Sequence, residues 1–107
     1  MTVGEISPQQ LKRRLEAGEK PCVLDVREPW EVAIVSLPGS VNIPLHEIPL
    51  RLKELDAGSE IIVMCKMGGR SRQAAEFLAA HNFSRVSNLT GGIVAWGREV
   101  DPALPDY

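Results

Sequence analysis

One segment of the chain gathers the residue types that activate a nucleophile: Cys65-Lys66-Met67-Gly68-Gly69-Arg70-Ser71. Cys65 ends the apolar run Ile61-Ile62-Val63-Met64, which has the composition of a buried strand. Ser71 to His81 reads as a helix, with Ala74, Ala75 and Leu78 facing inward. A short strand-to-helix loop can turn several backbone N–H groups toward one centre, and the helix start adds unpaired N–H groups and the positive end of its dipole. Gly68 and Gly69 allow backbone conformations that a β-carbon forbids. Lys66 and Arg70 bring formal positive charge. All four features favour a thiolate, and a free cysteine near pKa ~8.5 falls to about 3.5–7.5 in such surroundings. The same cradle suits the negative outer sulfur of a persulfide or an anionic donor. The chemistry indicated is covalent exchange at sulfur, which needs neither metal nor organic cofactor. A cysteine ending an apolar strand is, taken alone, a small core residue. The glycines, cations and helix start beside Cys65 set it apart.

The other reactive residue types lack such company. Cys22 starts a predicted strand without neighbouring glycines or cations and reads as core. His46 and His81 have no metal-ligand spacing with each other or with either cysteine, so no zinc site is expected and both read as surface residues. Lys12-Arg13-Arg14 is a solvated helix face, with docking of an acidic carrier as the alternative. Trp96 is spaced to pack in the core, with the border of the active-site mouth as the alternative, whereas Trp30, just beyond a strand end, is a candidate for the substrate entrance.

The elements that must position Cys65 follow from local signals. Ser7, Pro8 and Gln10 predict a capped helix that Gly18 ends. Cys22–Val26 predicts a buried strand, Glu28–Ala33 a short helix from Pro29, and Val41–Ile43 a second strand after the Leu37-Pro38-Gly39 turn. His46–Leu55 is expected to be helical, with Ile48, Leu52 and Leu55 on one side. Asn82 is suited to a left-handed cap, Val86–Leu89 to a strand, and Gly91-Gly92 to a turn into a last helix through Trp96. Strands alternating with helices imply an α/β domain with a mostly parallel sheet covered on both faces, whose site lies at the carboxyl ends of the strands.

Bulk properties narrow the function classes. The chain of 107 residues suits one domain spanning 1–107, and 44% hydrophobic with 24% charged residues argues for a packed core. Twelve basic and fourteen acidic residues leave a net charge of -2, so nucleic acid is not an expected partner. No apolar run reaches the roughly 20 residues of a membrane span. The start, MTVGEISPQQ, lacks the pattern of a secretory signal, so a cytoplasmic protein with reduced thiols is expected.

These segments resemble the rhodanese family across nearly the whole chain. Leu24-Asp25-Val26-Arg27-Glu28 with Glu31 is similar to the family's first signature, and Leu37-Pro38-Gly39-Ser40-Val41-Asn42-Ile43-Pro44 to its second. Cys65 to Arg70 resembles the six-residue active loop, and Asn88-Leu89-Thr90-Gly91-Gly92-Ile93-Val94-Ala95-Trp96 the closing motif. The resemblance implies a three-layer α/β/α domain with a five-stranded, mainly parallel sheet. It implies Cys65 as the persulfide-forming nucleophile, with Lys66, Met67, Gly68, Gly69, Arg70 and Ser71 binding the sulfur and its donor. Asp25, Arg27 and Glu28 become scaffold residues whose charges are paired. Ser36 stands where the family often has a histidine, which implies a changed local hydrogen bond. The ending, with Trp96 and the Asp-Pro and Leu-Pro tail to Tyr107, looks like the rhodanese domains fused to adenylyltransferases of molybdopterin and thiolation pathways, which pass sulfur to a ubiquitin-like carrier.

The expected function is therefore a sulfurtransferase. It would move sulfur from a small anionic donor such as thiosulfate to a thiol, to cyanide or to a protein acceptor. Two alternatives are a non-catalytic binding or regulatory module and a phosphatase of the same fold. The phosphatase loop has five residues between cysteine and arginine, whereas Lys66, Met67, Gly68 and Gly69 make four, a narrower ring than phosphate needs.

Overall fold

The computed structural model describes residues 3–105. Its strands are β1 (Gly4–Ile6), β2 (Cys22–Asp25), β3 (Val41–Asn42), β4 (Ile61–Met64) and β5 (Val86–Leu89). They form one sheet in the order β1-β5-β4-β2-β3, and every pairing is parallel. The helices are α1 (Pro8–Glu16), α2 (Pro29–Ile34), α3 (Gly69–Ala80) and α4 (Gly92–Glu99).

Side chains alternate along β4 and so feed two cores. Ile61, Val63 and then Cys65 join Leu24, Ala74 and Leu78 on the α3 face. Ile62 and Met64 join Leu11, Leu89, Ile93 and Trp96 on the face covered by α1 and α4. Full burial on both sides explains why β4 is apolar at every position. Trp96 is core, as its spacing predicts.

Local chemistry sets most boundaries. Ser7 and Gln10 make the reciprocal capping bonds at the start of α1, at 2.9 and 3.1 Å. Asn82 takes a left-handed φ of 71° behind α3, where the Phe83 N–H reaches back to the Leu78 carbonyl at 3.1 Å. Two expectations are corrected. His46–Leu55 is not a helix but two 3₁₀ turns, Leu45–Glu47 and Leu52–Glu54. Pro49 lies between them and lacks the N–H that would continue the helical bonding back to the Leu45 carbonyl. The edge strand β1 has no counterpart in the sequence reading, because Ile6 is its single buried residue.

At the end of β2 the chain turns on a fully buried ion pair. Arg27 donates to the Asp25 carboxylate from Nη2 at 2.7 Å and from Nε at 3.0 Å, and its backbone N–H does so at 3.0 Å. Arg27 Nη2 also donates to the Val35 carbonyl at 2.7 Å, tying the C-terminal end of α2 to the end of β2. Asn42 Nδ2 donates to the Asp25 and Arg27 carbonyls at 2.9 and 3.0 Å. The expected scaffold role of Asp25 and Arg27 thus has a concrete form. Replacing Arg27 with methionine strands a buried carboxylate and should cost about 3–5 kcal/mol. A lower urea midpoint at unchanged slope is the expected reading.

Candidate active site

Parallel order brings the ends of β2 and β4 side by side, with Asp25 opposite Met64. From β2 the chain leaves toward β3 and from β4 toward β5, in opposite directions along the sheet. A crevice opens at the carboxyl ends of two such strands. Cys65 is the first residue after β4 and stands at that point.

The loop that follows is short. Gly68, at φ 109°, caps α3, so Gly69 and Arg70 already belong to the first helical turn. Chain reversal over so few residues needs that left-handed glycine. It aims the Gly68 N–H at Cys65 Sγ, 3.0 Å away, and the Ser71 hydroxyl lies 3.3 Å from the same sulfur. The backbone N–H groups of Met67 and Ser71 also act on the sulfur. Burial pushes the thiol up, but the hydrogen bonds that converge on the sulfur, those of the backbone N–H groups among them, outweigh it and hold Cys65 below the ordinary thiol value. This is an anion nest closed over one sulfur atom.

A second wall clamps the loop from outside. Gly91 and Gly92 take left-handed φ values of 76° and 61°. Their conformation lets the start of α4 approach until the Ile93 N–H bonds the Cys65 carbonyl at 2.9 Å and the Val94 N–H the Lys66 carbonyl at 3.1 Å. With their carbonyls turned out to α4, the loop residues keep N–H groups for the sulfur. Asn88 Nδ2 adds a bond to the Gly68 carbonyl at 3.4 Å.

Residues 7–99, which include this nest, fit the family model of the rhodanese-like domain. The chain belongs to the rhodanese-like family. A sulfurtransferase of Allochromatium vinosum is 38% identical over 102 residues, which cover 95% of each chain. An adenylyltransferase and sulfurtransferase of Zea mays is 35% identical over 109 residues; the match takes in 95% of this chain and 23% of that longer protein. The crystal structure of a rhodanese-like domain protein from Staphylococcus aureus superposes with a TM-score of 0.86 at 28% identity, covering 98% of this chain and 99% of that one.

Within this rhodanese-like frame the loop residues divide. Cys65 and Ser71 are buried, the Met67 side chain is 68% exposed, and Lys66 lies half-buried with its carbonyl engaged by α4. Arg70 does not point its guanidinium freely outward. It makes a two-pronged bond to Glu31 of α2, at 2.7 and 2.9 Å. Arg70 holds the buried Glu31 carboxyl below the usual carboxylate range, against the opposing effect of burial. Because the folded value is depressed, the pair stabilises the protein above the ordinary carboxylate value and loses that contribution as pH falls through the folded one. Wild type should therefore lose more stability than Glu31→Gln between about pH 5 and 3, as followed by urea unfolding.

Three residues of the site have roles that motif spacing does not disclose. Glu31 orients Arg70, Asn88 braces Gly68 and Ser71, and Gly92 gives α4 its close approach. All three lie in the segments that resemble the family, but their partners are 39, 17 and 27 positions away. Only the glycine pair before a helix is a local signal. Cys22 is half-buried at the far end of the sheet, level with Ile61. Four residue steps, about 13 Å, separate that level from Cys65, and burial pushes the Cys22 thiol up. His46 and His81 are exposed, as expected. A recess of 540 Å³ opens beside Arg70 and Glu28, floored by Leu45, Ile48, Ala74 and Phe77.

Proposed function

We propose that the protein is a sulfurtransferase that carries sulfur as a Cys65 persulfide, with thiosulfate as a competent donor. The single observation that carries this reading is the nest around Cys65 Sγ, in which Gly68 and the neighbouring backbone donors converge on one atom. The sulfurtransferase names of the relatives favour the same class.

In the first step the Cys65 thiolate attacks the outer sulfur of thiosulfate. A new S–S bond forms, the old one breaks, and sulfite leaves with the bonding electron pair. Backbone N–H groups of the loop then hold the negative outer sulfur, with Arg70 and Lys66 adding positive potential toward the anionic donor. In the second step an acceptor such as cyanide or a thiolate attacks the outer sulfur, and the Cys65 thiolate departs with the electron pair. A protein acceptor is the extension of this step that the Zea mays relative suggests. The phosphatase alternative is disfavoured because Arg70 commits two N–H groups to Glu31 and is separated from Cys65 by four residues.

Intact-mass spectrometry after incubation with thiosulfate tests the proposal. A gain of one sulfur atom that cyanide removes is expected, both in wild type and in Cys22→Ala. A domain that gains no sulfur from thiosulfate or from a protein persulfide would instead be a binding module.

A further inference from the structure

Behind the sulfur, one proton has two claimants. The Ser71 oxygen lies 3.3 Å from Cys65 Sγ and 2.5 Å from Asn88 Oδ1, and Ser71 is fully buried. A serine hydroxyl has a single hydrogen to donate. The orientation of the Asn88 amide is set from its other side. Its NH₂ group faces the Gly68 carbonyl and both Glu5 carboxylate oxygens, each at 3.4 Å. A carboxylate only accepts, and Glu5 is itself fixed by the Thr90 hydroxyl at 2.9 Å and by Arg72. Turning the amide over would set its oxygen against three other acceptors. Oδ1 therefore faces Ser71 and takes the hydroxyl proton.

With that proton committed, the Ser71 oxygen presents lone pairs to Cys65 Sγ. This suits a thiol, which donates, and also the inner sulfur of a persulfide, which is neutral and needs no donor. It does not suit a thiolate. Should Ser71 turn to the charged sulfur, two bare oxygens would be left 2.5 Å apart in a buried site. We propose that Asn88 is a positioning residue: it draws the Ser71 proton away from Cys65 and so favours the thiol and persulfide states over the free thiolate. The persulfide half of this statement rests on the function proposed above; the thiol half does not. The consequence is a graded nucleophile, with the backbone nest pulling toward ionisation and the Asn88–Ser71 pair opposing it. Nucleophilicity falls with pKa, so a thiol ionised too easily attacks more slowly.

The charges around Cys65 come from every neighbouring element. Lys66 and Arg70 lie on the loop and α3, Glu31 and the Asp25–Arg27 pair on α2 and the β2 end, and Arg72 with Glu5 on α3 and β1. Replacing Asn88 adds or removes no charge, and the loss of its bonds to Glu5 is common to the backgrounds with and without Ser71, so their comparison isolates the hydrogen-bond effect.

The pH dependence of Cys65 alkylation by iodoacetamide, in a Cys22→Ala background and with no sulfur donor present, tests the proposal. Asn88→Leu should free the Ser71 hydroxyl for the thiolate and lower the Cys65 pKa by about one unit, a tenfold rise in thiolate fraction at pH values below both. The same substitution made on Ser71→Ala should have no such effect, because no proton is left to redirect. Glu5→Gln, an exposed change, provides the second variant. It unlocks the amide and should lower the pKa more with Ser71 present than without it. An unchanged or higher pKa in Asn88→Leu, or equal shifts with and without Ser71, overturns the proposal. Should Asn88→Leu fail to fold, the Glu5→Gln pair decides by the same criterion. Because no sulfur is transferred in this assay, its outcome is independent of whether the protein forms a persulfide.

Discussion

Cys65→Ala should fold and yet form no persulfide with thiosulfate, and Cys65→Ser should do no better. Alanine removes the attacking atom. Serine restores an atom that stays protonated at neutral pH, because backbone donors able to pull down a thiol cannot bring a hydroxyl into range. Thiocyanate formation from thiosulfate and cyanide should fall by about four orders of magnitude or more, as when a covalent nucleophile is removed elsewhere. Stability should also fall, but not enough to unfold the domain. The site is buried, and each donor of Gly68, Met67 and Ser71 left without a partner costs about 1–3 kcal/mol. That asymmetry, in which chemistry is lost and the fold kept, separates a nucleophile from a core cysteine. Sulfur uptake that survives in Cys65→Ala would move the carrier role to another residue.

Gly92→Ala is expected to be among the most damaging single changes outside the loop itself. Its β-carbon would sit inside contact distance of the Cys65 and Lys66 carbonyl oxygens, both backbone atoms with no freedom to yield. It would also hold a left-handed φ of 61° that side chains resist. Strain and overpacking together should cost about 2–5 kcal/mol. At roughly 4–8 °C per kcal/mol for a domain of this size, the thermal midpoint should drop by about 10 °C or more. Sulfur uptake should decline as well, because α4 would be pushed off the carbonyls that it holds. Gly18→Ala is the control: its φ is 88°, but nothing lies within 4 Å of the added carbon, so only the conformational cost of about 1 kcal/mol applies. Equal midpoints for the two variants in scanning calorimetry would dismiss the role given to the α4 approach.

Both predictions draw on a site that was only partly legible in the sequence. The placement of Cys65 at a strand end before a glycine loop follows from composition alone, because apolar runs and glycines act locally. The capping box of α1 and the left-handed Asn82 were readable for the same reason. The 3₁₀ turns around Pro49 were not, since a helical spacing of Ile48, Leu52 and Leu55 masked what proline forbids. Nor was β1, whose single buried side chain gives no pattern.

By itself the sequence determined the chemical identity of the site: one thiol, a flexible backbone beside it, and cations close in the chain. The tertiary structure alone decided how those parts are held. It paired Arg70 with Glu31, set Asn88 between Ser71 and Glu5, and brought the start of α4 onto the Cys65 carbonyl. The physical reason is reach. Residue type and short spacing fix what a loop can do, while hydrogen-bond direction at a buried sulfur depends on groups that meet only after parallel strands have aligned their carboxyl ends.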